Sequence, residues 1–294
     1  MDFTSFIKSA KRPLIVVLGP TASGKTELSL KIAKKVGGEI VSTDSRQIYK
    51  EMEIATDVVP EKKREKVKHH MIEIVPPDKT LTLAEYKDLA LEEIEGIYKR
   101  GHVPVLVGGT GLYVSAIIEG YSVPRIPPNE KLRKKLYKEA EKHGAEYLHD
   151  KLKKLDPRAA SKIHPNNIRY VIRALEINLE SKKHKVDKKR GPEFDTYIIG
   201  IERPRPELYS RVNARVDSQL KRGLIKEVKT LLKKYDPNLP SMSSLGVKEI
   251  IPYLRGETTL EEATELLKKN TRNYAKRQMT WFRRYEKVVW VKPE

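Results

Sequence analysis

Cysteine is absent from this chain. That removes disulfides, thiolate zinc sites and a cysteine nucleophile from consideration. Long apolar runs are missing too. No stretch has the length and hydrophobicity of a membrane-spanning helix, and no lipidation motif occurs. Residues 1–13 are mixed and polar, without the apolar core of a signal peptide. The expected compartment is the cytoplasm, with no membrane partner. Acidic residues are scarce beside basic ones: 40 Asp and Glu face 59 Lys and Arg, a net charge of +19. Balanced surface ion-pair networks would not need that excess, so a polyanion is the expected partner, and nucleic acid fits best. There is no internal repeat and no low-complexity tail. The 294 residues are enough for one large domain or two small ones.

What is present begins with a phosphate loop. Gly19-Pro20-Thr21-Ala22-Ser23-Gly24-Lys25-Thr26 follows the apolar run Leu14–Leu18 and precedes a helical pattern, Glu27–Val36. Strand, glycine-rich loop and helix in that order match G-x-x-x-x-G-K-[ST] in its proper context. Backbone N–H groups and the helix start can surround an anion. Lys25 can reach the outer phosphate oxygens, and the Thr26 hydroxyl can ligate Mg²⁺. The motif says that a di- or triphosphate is held; it does not say what attacks it.

Further apolar runs, Glu39–Ser42, Val103–Val107 and Tyr197–Ile201, read as parallel strands separated by helical patterns such as Leu83–Arg100. This predicts an α/β fold: a P-loop-containing parallel-sheet core with a helical insertion domain and a helical C-terminal region. Residues 1–121 and 194–294 form the expected core. Residues 122–193, rich in lysine, form the expected insertion, with helical stretches at Lys131–Lys154 and Asn167–Leu179. Ser181–Arg190 reads as a flexible loop. Pro206–Tyr235 and Glu261–Arg284 carry helical spacing, and Val288–Val291 is an expected edge strand.

In an open α/β sheet, ligands bind at the carboxyl ends of the strands. The second strand ends in Thr43-Asp44-Ser45-Arg46-Gln47, which places Asp44 near the ligand of Lys25. Asp44 suits a Mg²⁺ ligand or general base, and equally a helix N-cap. The third strand ends in Gly108-Gly109-Thr110-Gly111, suited to close approach to a ligand or simply to a tight turn. No acid follows that strand, which argues against motor and switch NTPases. On a C-terminal helix, Tyr274, Gln278, Trp281 and Tyr285 share one stripe, and Arg272, Lys276 and Arg283 another. Interleaved aromatics and arginines suit RNA; for the aromatics, core anchoring is the favoured alternative. His69-His70 has no third ligand at a readable spacing and is taken as structural.

Together these segments resemble the tRNA dimethylallyltransferases, also called tRNA isopentenyltransferases. The matching pieces are GPTASGKT (19–26), DSRQIY (44–49), VGGTGLY (107–113), HPNNIRYVIRALE (164–176), the run from Arg211 to Gly223, and TRNYAKRQMTWFRR (271–284). The resemblance implies transfer of a dimethylallyl group from dimethylallyl diphosphate to N6 of the adenine 3′-adjacent to a tRNA anticodon. It implies that residues 19–26, with Arg215, hold the diphosphate and that Mg²⁺ is the metal. It makes Asp44 the base and puts Thr110 at the reaction centre with Lys25. It assigns tRNA contacts to Asp44, Ser45, Arg46, Gln47, Thr110, Arg133, Arg169, Tyr170 and Arg173. It implies a monomer. The chain departs from the family pattern at Ala55-Thr56-Asp57-Val58, which lacks a usual lysine, at Val247, and at Arg169-Tyr170. The rival readings are a prenyltransferase of free adenine nucleotides, a P-loop small-molecule kinase and a non-catalytic RNA-binding switch.

Overall fold

The computed structural model describes residues 3–121, 123–180 and 193–292. The lysine-dense stretch 181–190 lies outside the described residues. Six strands form one sheet: β1 Pro13–Leu18, β2 Gly38–Ser42, β3 His69–His70, β4 Val103–Gly108, β5 Asp195–Ile201 and β6 Val288–Val291. Their order is β3-β2-β4-β1-β5-β6, with every pairing parallel. Central strands read as unbroken apolar runs because helices cover both faces. Leu14, Val16 and Leu18 enter one core with Leu106, Ile94 and Phe282. Ile15 and Val17 alternate into a second core with Leu30, Ile32 and Phe3. The N-terminal helix Phe3–Ser9, which the polar sequence did not announce, contributes Phe3 to that second core.

The chain divides into two compact units, 1–121 with 191–294, and 122–190. In the second unit the expected helical stretch Lys131–Lys154 is two helices, Glu130–His143 and Ala145–Leu155, parted at Gly144. Pro206–Tyr235 in the first unit is divided likewise, into Arg205–Lys221 and Leu224–Lys234, at Gly223 with φ of 102°. Apolar spacing carried across both breaks, since it registers which face is buried rather than where the backbone turns. The second unit has its own core of Leu136, Leu148, Leu152, Val171, Ile172 and Leu175. Within it Glu176, fully buried, accepts from Asn129 N (2.7 Å) and from Arg133 Nε (2.9 Å), and also pairs with Arg173. Among the described residues no helix is long and apolar enough to cross a membrane.

Near the amino ends of β2 and β4, a buried carboxylate ties the sheet edge together. Glu39 accepts from Arg100 Nε (2.9 Å) and pairs with His70 Nε2 and His102 Nδ1, each at 2.6 Å. His70, read as structural from the sequence, is buried between Glu39 and Glu93. The Arg100 guanidinium, helped by the two histidines and opposed by burial, holds the Glu39 carboxyl well below its ordinary value of 4.5. A depressed folded-state pKa contributes stability that is present above the unfolded value and lost as pH falls. Glu39→Gln should therefore cost about 2–3 kcal/mol at pH 7, a partly exposed version of a broken buried pair. The deficit should shrink as pH drops below the ordinary value of 4.5. Urea unfolding of both proteins across that range checks this; a deficit unchanged with pH would rule out the ionised network as its source.

Candidate active site

The phosphate loop leaves β1 and enters the helix Lys25–Val36. Its carbonyls are engaged by basic side chains. Pro20 O accepts from Lys25 Nζ (2.7 Å), Ala22 O from Arg211 Nε (2.9 Å) and Ser23 O from Arg203 Nε (2.8 Å). Ala22 holds a left-handed φ of 61°, uncommon for a residue with a side chain. Ser23 Oγ is buried and has no hydrogen-bond partner among the described residues. With those carbonyls tied, the loop can offer backbone N–H groups to an anion.

The end of β2 is tied to the end of β4. Thr43 N donates to Val107 O (2.7 Å) and Thr110 N to Thr43 O (3.1 Å). Thr110 Oγ1 accepts from Ser45 N (3.0 Å) and lies 3.2 Å from Ser45 Oγ. Asp44 Oδ1 accepts from the backbone N–H groups of Arg46 (2.9 Å) and Gln47 (3.4 Å). Asp44 therefore caps a turn and not the helix expected from the sequence, since the next helix begins only at Glu53; its Oδ2 has no hydrogen-bond partner among the described residues.

A cavity of about 620 Å³ lies over these strand ends, lined by Lys25, Thr26, Asp44, Arg215 and Tyr274 among others. Burial, with Arg215 adding and Asp44 opposing, pulls the Lys25 ammonium down to about 8. Burial, with the Asp44 carboxylate adding, pushes the Tyr274 phenol up to about 12, so it stays neutral. Arg215 donates to Asp57 Oδ2 (2.6 Å), and Arg222 to Asp57 Oδ1 (2.5 Å). The turn carrying Asp57 is gripped by Gln219, which donates to Ile54 O (2.8 Å), and by Glu227, which accepts from Ile54 N (2.7 Å).

The sequence-derived candidates divide into two groups. Residues 21–26, Asp44, Ser45, Arg46, Gln47 and Arg215 line the one cavity, and Thr110 bonds directly to its wall. Two of them are turned toward protein. Arg46 donates to Pro240 O (2.6 Å) and Ser243 Oγ (3.2 Å), and Gln47 Nε2 to Asp57 O (3.1 Å). Gly19 and Pro20 belong to the loop itself. Arg133, Arg169, Tyr170 and Arg173 belong to the other unit. There Arg133 and Arg173 close on Glu176, while Arg169 and Tyr170 are exposed.

Gln278 was legible as one member of a helical stripe and of the matching string 271–284, without a role of its own. It is buried on the long C-terminal helix Leu260–Phe282. Its Oε1 accepts from Thr21 N (2.8 Å) and its Nε2 donates to Gly109 O (2.8 Å). Phe282 is fully buried and Trp281 packs on Gly111, so these two aromatics serve the core, as favoured. Of the arginines bonded to the phosphate loop, Arg211 was legible only as the first residue of the matching run 211–223, and Arg203 carried no sequence signal.

Among the described residues no group of three His, Cys, Asp or Glu could hold a metal. Mg²⁺ does not require one. It keeps several waters and takes one or two protein ligands together with substrate phosphate oxygens. The Thr26 hydroxyl, on the cavity wall with Lys25 and Asp44, fits that manner of binding.

The model of the family described as IPP transferase matches residues 47–285. The chain is 48% identical over 284 residues to a tRNA dimethylallyltransferase of Acetivibrio thermocellus, covering 95% of this chain and 91% of that one. It is 50% identical over 283 residues to one of Halothermothrix orenii, covering 94% and 86%. The fold is similar to the crystal structure of a tRNA isopentenylpyrophosphate transferase from Bacillus halodurans, with a TM-score of 0.72 at 42% identity, covering 96% and 90%. A eukaryotic dimethylallyltransferase acting on tRNA gives 0.73 at 30% identity, covering 92% of this chain and 70% of that one. With motifs, fold and these likenesses in agreement, the chain belongs to the IPP transferase family, that of the tRNA dimethylallyltransferases.

Proposed function

We propose that the chain transfers a dimethylallyl group from dimethylallyl diphosphate to N6 of the adenine 3′-adjacent to the tRNA anticodon, releasing diphosphate. One observation carries this reading to the level of residues: Lys25 and Asp44 line one cavity, and Thr110 bonds to Ser45 on its wall. The adenine amine is a weak nucleophile, because its lone pair is delocalised into the ring. As N6 forms its bond to the allylic carbon, the carbon–oxygen bond to diphosphate breaks, and a proton must leave N6. The Asp44 oxygen left without a protein partner is suited to take that proton. Negative charge grows on the departing diphosphate, where Lys25, Arg215 and the loop N–H groups stabilise it. Thr26 would hold Mg²⁺, which supplies further charge neutralisation at the diphosphate oxygens. Thr110 fixes the turn beside Asp44 through Ser45. The adenine must leave its stack to enter the cavity.

For tRNA, the helix Glu130–His143 offers exposed Lys131, Lys134, Lys135, Lys138 and Lys142 at helical spacing. Together with exposed Arg169 and Tyr170 they suit contacts to phosphate and stacking on an unpaired base. Arg133 and Arg173 support that surface through Glu176 and contribute to RNA binding at one remove. The enzyme works in the cytoplasm as a monomer.

Mass spectrometry of nucleosides tests the reaction. An unmodified tRNA with three adenines from the last anticodon position onward is incubated with protein, Mg²⁺ and dimethylallyl diphosphate. Dimethylallyl-adenosine should form. Asp44→Ala should lose about 10²–10⁴-fold in rate, the usual contribution of a positioned base, and still bind the tRNA. Product on free AMP but not on tRNA would favour the nucleotide-prenylating rival.

A second expectation concerns pH. Lys25 titrates near 8 in the free protein, and only its charged form attracts diphosphate. Affinity for inorganic diphosphate should therefore hold below that value and weaken as pH rises through it. Lys25→Met should bind roughly tenfold or more weakly at pH 7, with this part of the pH dependence gone. Titration calorimetry of both proteins separates it from the ionisation of the ligand itself. Parallel pH curves would show that Lys25 does not contact the anion.

A further inference from the structure

We propose that Gln278 is a positioning residue for the transfer step, its carboxamide setting the gap between the diphosphate-holding loop and the turn that carries Thr110. The inference rests on the proposed activity and adds a residue to it. Oε1 accepts from Thr21 N and Nε2 donates to Gly109 O, each at 2.8 Å. Thr21 belongs to the phosphate loop, and Gly109 immediately precedes Thr110. The two partners settle which end of the amide is which: a backbone N–H can only donate and a carbonyl can only accept. A side chain that accepts at one end and donates at the other is needed. Glutamine does both in one fixed state, whereas ionised glutamate only accepts and methionine does neither usefully.

The contact is also close. A Cβ added at Gly109 would lie 2.2 Å from Gln278 Nε2, so the turn meets the amide at backbone distance. Gln278 itself is 6% exposed, and water cannot readily replace it. The helix does not depend on this bridge for its seat. Ala275 and Phe282 are fully buried on the same side, and Trp281 rests against Gly111. Removing the amide should therefore leave the fold and both substrate sites standing while the two loops lose their fixed separation. Bond formation requires the reacting atoms within about 3–3.5 Å, and a displacement of about 1 Å can cost roughly a hundredfold in rate. Such a loss falls on kcat rather than on KM.

The test uses the full chain with dimethylallyl diphosphate and unmodified tRNA, comparing wild type with Gln278→Met and Gln278→Glu. Thermal melts establish that each variant is folded. Gln278→Met should lower kcat roughly tenfold to a hundredfold with both KM values within about threefold of wild type. Gln278→Glu keeps the acceptor for Thr21 N but sets an ionised oxygen against Gly109 O. Protonation restores a donor there, so its activity relative to Gln278→Met should climb as pH falls. A Gln278→Met enzyme with wild-type kcat overturns the role of Gln278, as does a loss confined to KM or a variant ratio flat with pH. Wild-type protein that makes no prenylated nucleoside overturns the proposed activity instead.

Discussion

Thr43 donates its backbone N–H to Val107 O and accepts from Thr110 N–H through its own carbonyl, so the ladder between β2 and β4 continues past the strands. The rest of the site depends on that continuation. It brings the Asp44 turn and the Thr110 turn to one place, and Ser45 and Thr110 then lock through their own groups. On the other side of β4 lies β1, whose exit is the phosphate loop. Three neighbouring parallel strands therefore deliver a cation-bearing loop, a carboxylate and a hydroxyl to the mouth of one cavity. An antiparallel neighbour would send one of these exits to the opposite edge, where the Glu39 network sits.

Electrostatics sharpens the arrangement. Burial in the cavity depresses Lys25, Asp44 offsets the effect only in part, and Arg215 adds a smaller push the same way. The free protein is thus strained in charge in a way that an anion relieves. Asp57 tempers the same strain by taking Arg215 and Arg222 on separate oxygens. Asp57 itself holds a left-handed conformation with φ of 54°. The wall keeps its shape because Gln219 and Glu227 grip the turn's backbone, leaving Asp57 to orient the arginines.

The strands and the phosphate loop were legible because each is a local pattern. A buried parallel strand needs a short apolar run, and an anion loop needs its glycines and lysine at fixed spacing. Val288–Val291 was readable on the same ground and does lie at the sheet edge. The helix breaks at Gly144 and Gly223 were passed over, since the apolar period ran on through both. The partners of Gln278 were out of reach for another reason. The bond to Thr21 joins residues 257 positions apart, and no periodicity encodes which backbone groups a buried amide will meet. Arg133 and Arg173 illustrate the same limit. The family resemblance suggested RNA, yet the acid that engages them, Glu176, lies on the buried side of its own helix and reads in sequence as one more surface glutamate.

That last pair bears on how the helical unit can serve a polyanion. A lysine-rich surface repels itself, and a small helical core has little apolar area to resist it. Glu176 answers the problem locally by binding two arginines and the start of the helix Glu130–His143 in one buried cluster. The exposed lysines of that helix are thereby carried on a scaffold whose inner arginines are already paired with an acid. The unit can spend its positive surface on a ligand because its fold does not rely on that surface being balanced. The same logic governs the cavity of the other unit, where buried amides and carboxylates fix the backbone and the cations are left to act.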